Sequence, residues 1–145
     1  MTSTDQARDA FVERLFDAAV GTMDVFTVYL GDRLGLYRAL AEAGPLTAGD
    51  LAAHAGMNSR YAREWLEQQA ATGILEVEDP SVGEEERRFA LPAAHAETLI
   101  DPESPFAMAA LCRSLAAVGG TLPLLVEAYR TGEGLSVESA EYPPS

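Results

Sequence analysis

The sequence contains no lysine, and all ten of its basic residues are arginines. Against them stand 23 aspartates and glutamates, which give the 145-residue chain a formal net charge of −13. A protein that neutralises nucleic-acid phosphates usually presents a basic face. The overall field of this chain repels a polyanion, and an anionic membrane surface as well. The composition therefore argues against nucleic acid and acidic lipid as partners.

Cysteine and long apolar runs are also scarce. The single cysteine, Cys112, cannot form an internal disulfide. No apolar run approaches the roughly 20 residues needed to span a bilayer. The polar start MTSTDQARD lacks the apolar segment of a signal peptide. These features predict a cytoplasmic protein with no membrane partner, and the hydrophobic content of 48% is ample for the core of one domain.

Residues that carry catalysis or bind metals do not occur at recognisable spacings. His54 and His95 each lack a cysteine or acidic partner at ligand spacing. Cys112 lies in an apolar helical pattern with Arg113 as its one basic neighbour, which predicts a buried and inert thiol. Nucleophile-elbow, phosphate-loop and dinucleotide motifs are missing. We therefore predict no catalytic, cofactor-binding or metal-binding residue in this chain.

The segment Pro45–Leu91 carries the most informative pattern. Thr47 is a good N-cap and is followed three residues later by Asp50, which predicts the start of a short helix. Gly56 can end that helix in a left-handed conformation. A second helix begins at Asn58 or Ser59.

The second helix of this segment is predicted from residues that recur at helical spacing. They are Tyr61, Ala62, Trp65, Leu66 and Gln69. Gly73 closes the helix, a short β-branched run follows at 74–78, and the chain returns as a second strand at 89–91. Two helices joined by a glycine turn and followed by a hairpin form a winged helix-turn-helix.

Winged helices bind DNA, but they also serve as packing modules, so the charges of this segment matter. The second helix offers Arg60 and Arg63, but these arginines are accompanied by Glu64 and Glu67. The tip of the wing carries three consecutive glutamates, Glu84–Glu86, where a DNA-binding wing presents arginine or lysine. A DNA-binding transcriptional regulator that uses Arg60 and Arg63 is the alternative hypothesis that this segment leaves open.

A long helix is predicted from about residue 4 to residue 34, with two apolar sides. One side comprises Val12, Leu15, Phe16, Ala19, Met23, Phe26, Leu30 and Leu34, and the other Phe11, Ala18, Val25 and Tyr29. Gly21 and Gly31 lie in this helix and mark either a kink or a close helix crossing. A helix buried on two sides indicates a homodimerisation helix or an interior helix of a larger protein; we favour dimerisation.

The remaining segments are also predicted to be helical. Short helices are expected at 36–43 and 93–100, and an apolar helix is expected to begin near Pro105. Gly119–Gly120 is predicted to break that helix, so that 122–130 forms another. The predicted fold is mainly α: a winged helix-turn-helix with a small two-stranded β-wing, flanked by a long N-terminal helix and two C-terminal helices.

The order of elements resembles a known family. The runs LGLYRALAEAGPLTAGDLA, which begins at Leu34, and YAREWLEQQAATGIL, which begins at Tyr61, carry the resemblance. They are similar to the N-terminal winged-helix module of class I S-adenosylmethionine-dependent methyltransferases, especially bacterial small-molecule O-methyltransferases. The resemblance extends over about residues 8–137.

This resemblance implies a division of labour. In such enzymes the N-terminal helices build a homodimer, later helices line the pocket of a small-molecule acceptor, and a following Rossmann-like domain binds S-adenosylmethionine. The implied regions are a dimerisation helix (1–34), the winged helix (35–92), helices on the substrate side (93–135) and a linker to a missing catalytic domain (136–145). We expect the parent enzyme to be a methyltransferase and this chain alone to be inactive.

The resemblance also suggests which residues line the acceptor pocket. The candidates on the first helix are Met23, Phe26 and Tyr29, and those on the later helix are Met108, Leu111 and Cys112. The alternative is that all six belong to an ordinary core. A non-enzymatic module that holds a partner through its exposed apolar helices is a further hypothesis.

Overall fold

The structure is a computed structural model that describes residues 2–135. Within these residues, six helices and two short strands follow one another along the chain. They are α1 (Ser3–Arg33), α2 (Leu36–Ala43), α3 (Ala48–Ala55), α4 (Ser59–Ala71), β1 (Glu76–Val77), β2 (Phe89–Ala90), α5 (Ala93–Ile100) and α6 (Ala109–Thr131). This confirms the predicted fold class, a mainly α winged helix-turn-helix with a small β-wing.

The helix-turn-helix, α3 and α4, is bounded by the capping residues that the sequence predicts. The Thr47 hydroxyl accepts from the Asp50 N–H at 3.2 Å, and the Asp50 carboxylate accepts from the Thr47 N–H at 3.3 Å. Gly56 ends α3 with φ at +63°, a conformation that disfavours any residue with a Cβ. The side chain of Asn58 then caps α4 by accepting from the Arg60 N–H at 3.0 Å.

The wing is a hairpin extended by one residue from the loop before α3. Glu76 pairs with Ala90, and Val77 pairs with Phe89, in an antiparallel register. On the other side of β2, Leu46 and Phe89 exchange two backbone hydrogen bonds of 3.1 and 2.9 Å. Phe89 is therefore bonded on both sides and has no exposed surface, which fixes the wing to the core.

The core lies between α2, α3, α4 and the wing, with the C-terminal part of α1 against it. Its buried members are Val28, Leu36, Tyr37, Leu40, Leu46, Ala48, Leu51, Trp65, Leu66, Leu75, Phe89 and Cys112. Trp65 is a core residue, and its ring meets that of Tyr37 edge-on with centroids 5.2 Å apart. This cluster packs α2, α3, α4 and the wing into one unit, to which α1 contributes Val28 and α6 contributes Cys112.

Gly31 marks a close helix crossing, one of the two predicted alternatives. A Cβ at this position would lie 2.5 Å from Cζ2 of Trp65 and 2.6 Å from Cε2 of Tyr37. Glycine therefore lets α1 approach these two rings more closely than any other residue would. Gly21, in contrast, faces open space and has no packing role among the described residues.

The predicted break at Gly119–Gly120 is wrong. α6 runs without interruption from Ala109 to Thr131, through both glycines and Pro123, and it begins four residues after Pro105. Glycine lowers helix propensity by about 1 kcal/mol relative to alanine but does not forbid helical dihedrals. Packing of this turn on α1, where Gly119 faces Phe26, supports the helix through the weak segment.

Tyr61 is the second exception to the sequence-based prediction. Although it shares helical spacing with Ala62, Trp65 and Leu66, 66% of its surface is exposed. The buried side of α4 is narrower than the predicted set, because Ala62, Trp65, Leu66 and Gln69 fill it. Tyr61 therefore lies beside that face, toward solvent.

Candidate functional site

The two long helices, α1 and α6, pack against each other and run in opposite directions. Near the end of α1, Asp32 pairs with Arg113 near the start of α6, with Oδ2 and Nη1 2.7 Å apart. Gly119 lies six residues after Arg113 in α6, and Phe26 lies six residues before Asp32 in α1. A Cβ at Gly119 would lie 3.8 Å from the Phe26 ring. The ion pair and the ring contact together set the register of this antiparallel pair.

Most large apolar side chains of both helices are exposed. They are Phe11, Val12, Leu15, Phe16, Val20, Met23, Phe26 and Leu30 on α1, and Leu111, Leu115, Val118, Leu122, Leu124, Val126 and Tyr129 on α6. We call this set the α1/α6 apolar surface. Soluble monomers rarely expose large contiguous apolar patches, and those that exist usually contact a partner or ligand.

The two apolar sides predicted for α1 are both largely uncovered in this chain. Residues 6–20 are all exposed. Burial begins only near the winged helix, where Val25 and Tyr29 are half-buried and Val28 is 7% exposed. The sequence pattern did not include Val28, which lies on the face of the helix opposite the first predicted side. The side of α1 that packs on the core is therefore different from both predicted sides, and it extends over only the last turns of the helix.

The distal half of α6 is equally uncovered. Leu122, Leu125, Val126, Tyr129 and Arg130 line an open apolar groove. Because α6 is continuous, it is also the one helix among residues 2–135 that is long and apolar enough to cross a membrane. Its most apolar stretch has a mean hydropathy of 1.6, and 11% of that stretch is buried. The premise that no apolar run approaches 20 residues is therefore wrong for 109–131.

The six predicted pocket residues lie on the two neighbouring helices α1 and α6 and at their ends. Met23 is 57% exposed, Phe26 37%, Met108 44% and Leu111 47%, whereas Tyr29 is half-buried. Four of the six are thus not core residues, contrary to the alternative reading. Their role in binding an acceptor remains a prediction.

Cys112 differs from the other five because it belongs to the core. It is 8% exposed, and burial, with a smaller contribution from Asp32, raises the pKa of its thiol. A raised pKa keeps the thiol protonated and unreactive at neutral pH. The prediction of a buried cysteine is confirmed.

The arginines of the DNA-binding alternative are engaged within the chain. Arg63 Nη2 lies 2.5 Å from Oε1 of Glu85, and its Nη1 lies 3.7 Å from Oε2 of Glu84. Arg60 pairs with Glu64 on the same helix at 3.1 Å. The acidic wing therefore folds back on α4 and neutralises the charge that a phosphate backbone would need.

A third arginine of this region pairs in the opposite direction, from the wing to α4. Arg87 of the wing lies 2.6 Å from Glu67 of α4. Within the part of the chain that the structure describes, no group of three or more histidine, cysteine or acidic side chains is arranged to hold a metal ion. The winged helix thus presents neither a basic groove nor a metal centre among these residues.

Comparisons with solved structures match the same architecture. Human N-acetylserotonin methyltransferase, solved with S-adenosylmethionine, aligns over 99% of this chain with 25% identity and a TM-score of 0.69. The mitomycin 7-O-methyltransferase MmcR aligns over 90% with 29% identity and a TM-score of 0.67. The dimethyltransferase RosA of Streptomyces davawensis aligns over 84% with 29% identity and a TM-score of 0.62.

The chain spans 40%, 37% and 34% of these three structures, respectively. The comparison with curated proteins returned no match. A family profile described as the Rv2258c-like winged HTH domain matches residues 21–100, which include the end of α1, the helix-turn-helix, the wing and α5. The chain therefore belongs to the Rv2258c-like winged helix-turn-helix family and resembles a domain of S-adenosylmethionine-dependent methyltransferases.

Proposed function

We propose that this chain is the N-terminal dimerisation and substrate-recognition module of an S-adenosylmethionine-dependent methyltransferase that acts on a small molecule. The α1/α6 apolar surface carries the proposal, because a domain whose core is already complete has no internal use for it. The alignment of almost the whole chain with about two fifths of a methyltransferase supports it. The cofactor would be bound by a domain outside this sequence.

A second copy of the chain is the proposed cover for the outer part of this surface. The exposed apolar side chains of residues 6–20 of α1 and the apolar groove on distal α6 are far from the winged helix along both helices. In a twofold symmetric dimer the same surface is used by both copies, so one long α1 can lie along the partner's α6. Burial of two such surfaces would supply the hydrophobic free energy that holds the dimer.

The inner part of the surface, near the winged helix, is the proposed wall of the acceptor pocket. Met23, Phe26, Met108 and Leu111 offer apolar and polarisable side chains, which are typical of small-molecule sites. A wall of this kind would hold the acceptor atom in line with the sulfonium methyl of the cofactor. The rate gain from this module would therefore come from proximity and alignment, not from acid–base chemistry.

The acceptor half of the proposal is tested in the parent enzyme, the product of the reading frame extended beyond Ser145. The double variant Met23→Ala/Phe26→Ala should raise the acceptor KM about tenfold or more and leave cofactor affinity unchanged. Tyr61→Ala, an exposed aromatic of α4 outside the α1/α6 apolar surface, is the matched control. An unchanged acceptor KM in the double variant would contradict the pocket.

The division between the two domains is tested by calorimetry. The 145-residue chain should release no heat of binding with S-adenosylmethionine, whereas the extended protein should bind it. Saturable binding by the short chain would mean that the cofactor site lies at least partly in the winged-helix module. A stop codon directly after Ser145 would also contradict the proposal.

A further inference from the structure

Gln69 of α4 is a fully buried polar side chain in an otherwise apolar core, with 0% of its surface exposed. It lies where α1, α2 and α4 meet, between Tyr37 and Thr27. A buried amide destabilises a core unless its hydrogen-bonding groups are satisfied. The partners of Gln69 therefore explain why an amide is tolerated there.

The side chain of Gln69 makes three hydrogen bonds to other side chains. Tyr37 Oη donates to its Oε1 at 2.5 Å. Its Nε2 donates to Thr27 Oγ1 at 3.1 Å and to Gln68 Oε1 at 2.7 Å. The Thr27 hydroxyl donates to the backbone oxygen of Asp24 at 3.0 Å. Gln68 Nε2 donates to the carboxylate of Asp24 at 3.0 Å. We call these five residues the Gln69 network.

The direction of the Gln69 network is fixed at Asp24, whose carboxylate can only accept hydrogen bonds. Gln68 therefore presents Nε2 to Asp24 and Oε1 to Gln69, and Gln69 must direct Nε2 toward Gln68 and Oε1 toward Tyr37. Burial raises the pKa of Tyr37, and the nearby carboxylates of Asp32 and Asp24 add to that effect, so its phenol keeps its proton and donates. The donors thus run from α2 through α4 to α1, and the network ends on the oxygens of Asp24.

Two further contacts hold α1 at the same place. The indole N–H of Trp65 donates to the backbone oxygen of Thr27 at 2.9 Å. Gly31, one turn further along α1, lies directly against the Trp65 and Tyr37 rings. Asp24, Thr27 and Gly31 follow one another by three and four residues, so they share one side of the helix.

We infer that the Gln69 network is a positioning device that fixes the rotation of α1 about its own axis. Each residue advances about 100° around a helix, so Met23, Phe26 and Leu30 lie on the side adjacent to Asp24 and Thr27. A rotation of α1 by one residue would break the network and turn these three side chains away from their present direction. The identity of the groups that these three side chains contact rests on the proposed function, whereas the fixed rotation of α1 does not.

Apolar packing alone would not supply this precision. Hydrophobic attraction is non-directional, and most of α1 makes no contact with the winged helix. Hydrogen bonds of fixed polarity are directional, and buried polar groups are known to specify register in helical assemblies. Replacing the network by apolar side chains of similar volume should therefore preserve stability and widen the range of α1 rotations that the Trp65 hydrogen bond and the Gly31 contact still allow.

The test uses the triple variant Thr27→Val/Tyr37→Phe/Gln69→Leu, which removes the three buried polar side chains that join α2, α4 and α1, retains their volume and leaves the bond from Gln68 to Asp24 in place. Distances are measured by double electron–electron resonance between nitroxides attached to the variants Glu13→Cys and Arg60→Cys. Both positions are exposed. The background is Cys112→Ala, and excess unlabelled chain restricts the signal to distances within one copy.

With the native network, the distance distribution should be single and narrow. In the triple variant its width should increase on the order of twofold, while the melting temperature changes little. The control Thr27→Ser retains the hydroxyl and should keep the narrow distribution. If the triple variant does not fold, Thr27→Val alone decides between the two results.

An unchanged width in a folded variant that lacks the Thr27 hydroxyl would overturn the inference. Sedimentation of the unlabelled wild-type chain distinguishes this failure from failure of the proposed function. A monomeric wild type contradicts the dimer but leaves the rotation result intact. A dimer with unchanged width retains the dimer and removes the positioning role.

Discussion

The winged helix and the α1/α6 apolar surface contain similar side chains in opposite environments. Leu51, Leu66 and Phe89 have no exposed surface, whereas Phe16 is 68% exposed and Leu122 55%. The first group already has its neighbours within the chain, and the second group has few. The difference shows that the apolar side chains of the winged helix are covered within the chain, while those of the α1/α6 apolar surface are available for binding.

The largest effect should come from the same substitution made in each region. Phe89→Ala removes a fully buried ring and should lower the free energy of unfolding by about 3–5 kcal/mol. Phe16→Ala should change the stability of the monomer by less than about 0.5 kcal/mol, because its ring is mostly in solvent. Urea unfolding at low chain concentration measures both, and similar losses would contradict the distinction.

A second pair of variants tests where along α1 the part packed on the winged helix ends and the exposed part begins. Gly31→Ala places a methyl group against Trp65 and Tyr37 and should destabilise the chain by about 1–3 kcal/mol. Gly21→Ala adds the same group in open space and should stabilise α1 by up to about 1 kcal/mol. Thermal unfolding should show shifts of opposite sign. Shifts of the same sign would mean that the close crossing at Gly31 does not restrain α1.

The smallest change in the free energy of unfolding should come from substitutions in two capping boxes of the same composition. Thr47 and Asp50 cap α3 in the core, and Thr2 and Asp5 cap the exposed start of α1. Thr47→Ala should lower the free energy of unfolding by about 1 kcal/mol. Thr2→Ala should only increase amide exchange in the first turn of α1, with no effect on global unfolding. A global effect of Thr2→Ala would show that the start of α1 is part of the cooperative unit.

The capping box of α3 also makes the free energy of unfolding depend on pH. Hydrogen bonds from the Thr47 hydroxyl and N–H lower the pKa of Asp50 below its usual value of 3.8. A carboxylate with a lowered pKa in the folded state stabilises the fold above its unfolded pKa, and this contribution is lost as the pH falls through the folded value. The stability difference between wild type and Asp50→Asn should therefore be present at neutral pH, shrink as the pH falls below 3.8 and disappear below the lowered pKa of Asp50 in the folded chain. A difference that persists there would contradict this assignment.

Much of the winged helix could be predicted from the sequence because its signals are local. Thr47 with Asp50, Gly56 and Asn58 act within one helical turn, and each stands where predicted. The continuity of α6 could not be predicted, because packing on α1 overrides the low helix propensity of Gly119–Gly120. The propensity of a segment decides its structure only where tertiary contacts are weak.

The site was predicted less completely than the fold. Exposed apolar residues on α1 were recognised by their spacing, but spacing cannot distinguish a side that is covered within the chain from one that is not. Val28 and the network around Gln69 were missed, because they depend on α1, α2 and α4 meeting in space. A glutamine among apolar residues at helical spacing was the one available signal.

The most direct test of the account is the association state of the chain, measured by sedimentation equilibrium over a wide concentration range. The wild-type chain should be a dimer, and Phe16→Asp or Leu122→Asp should raise its dissociation constant by about tenfold or more. Glu13→Asp, which changes an exposed polar residue of α1, is the control and should leave that constant unchanged. A wild-type chain that remains monomeric at every concentration would contradict the claim that a second copy covers the α1/α6 apolar surface.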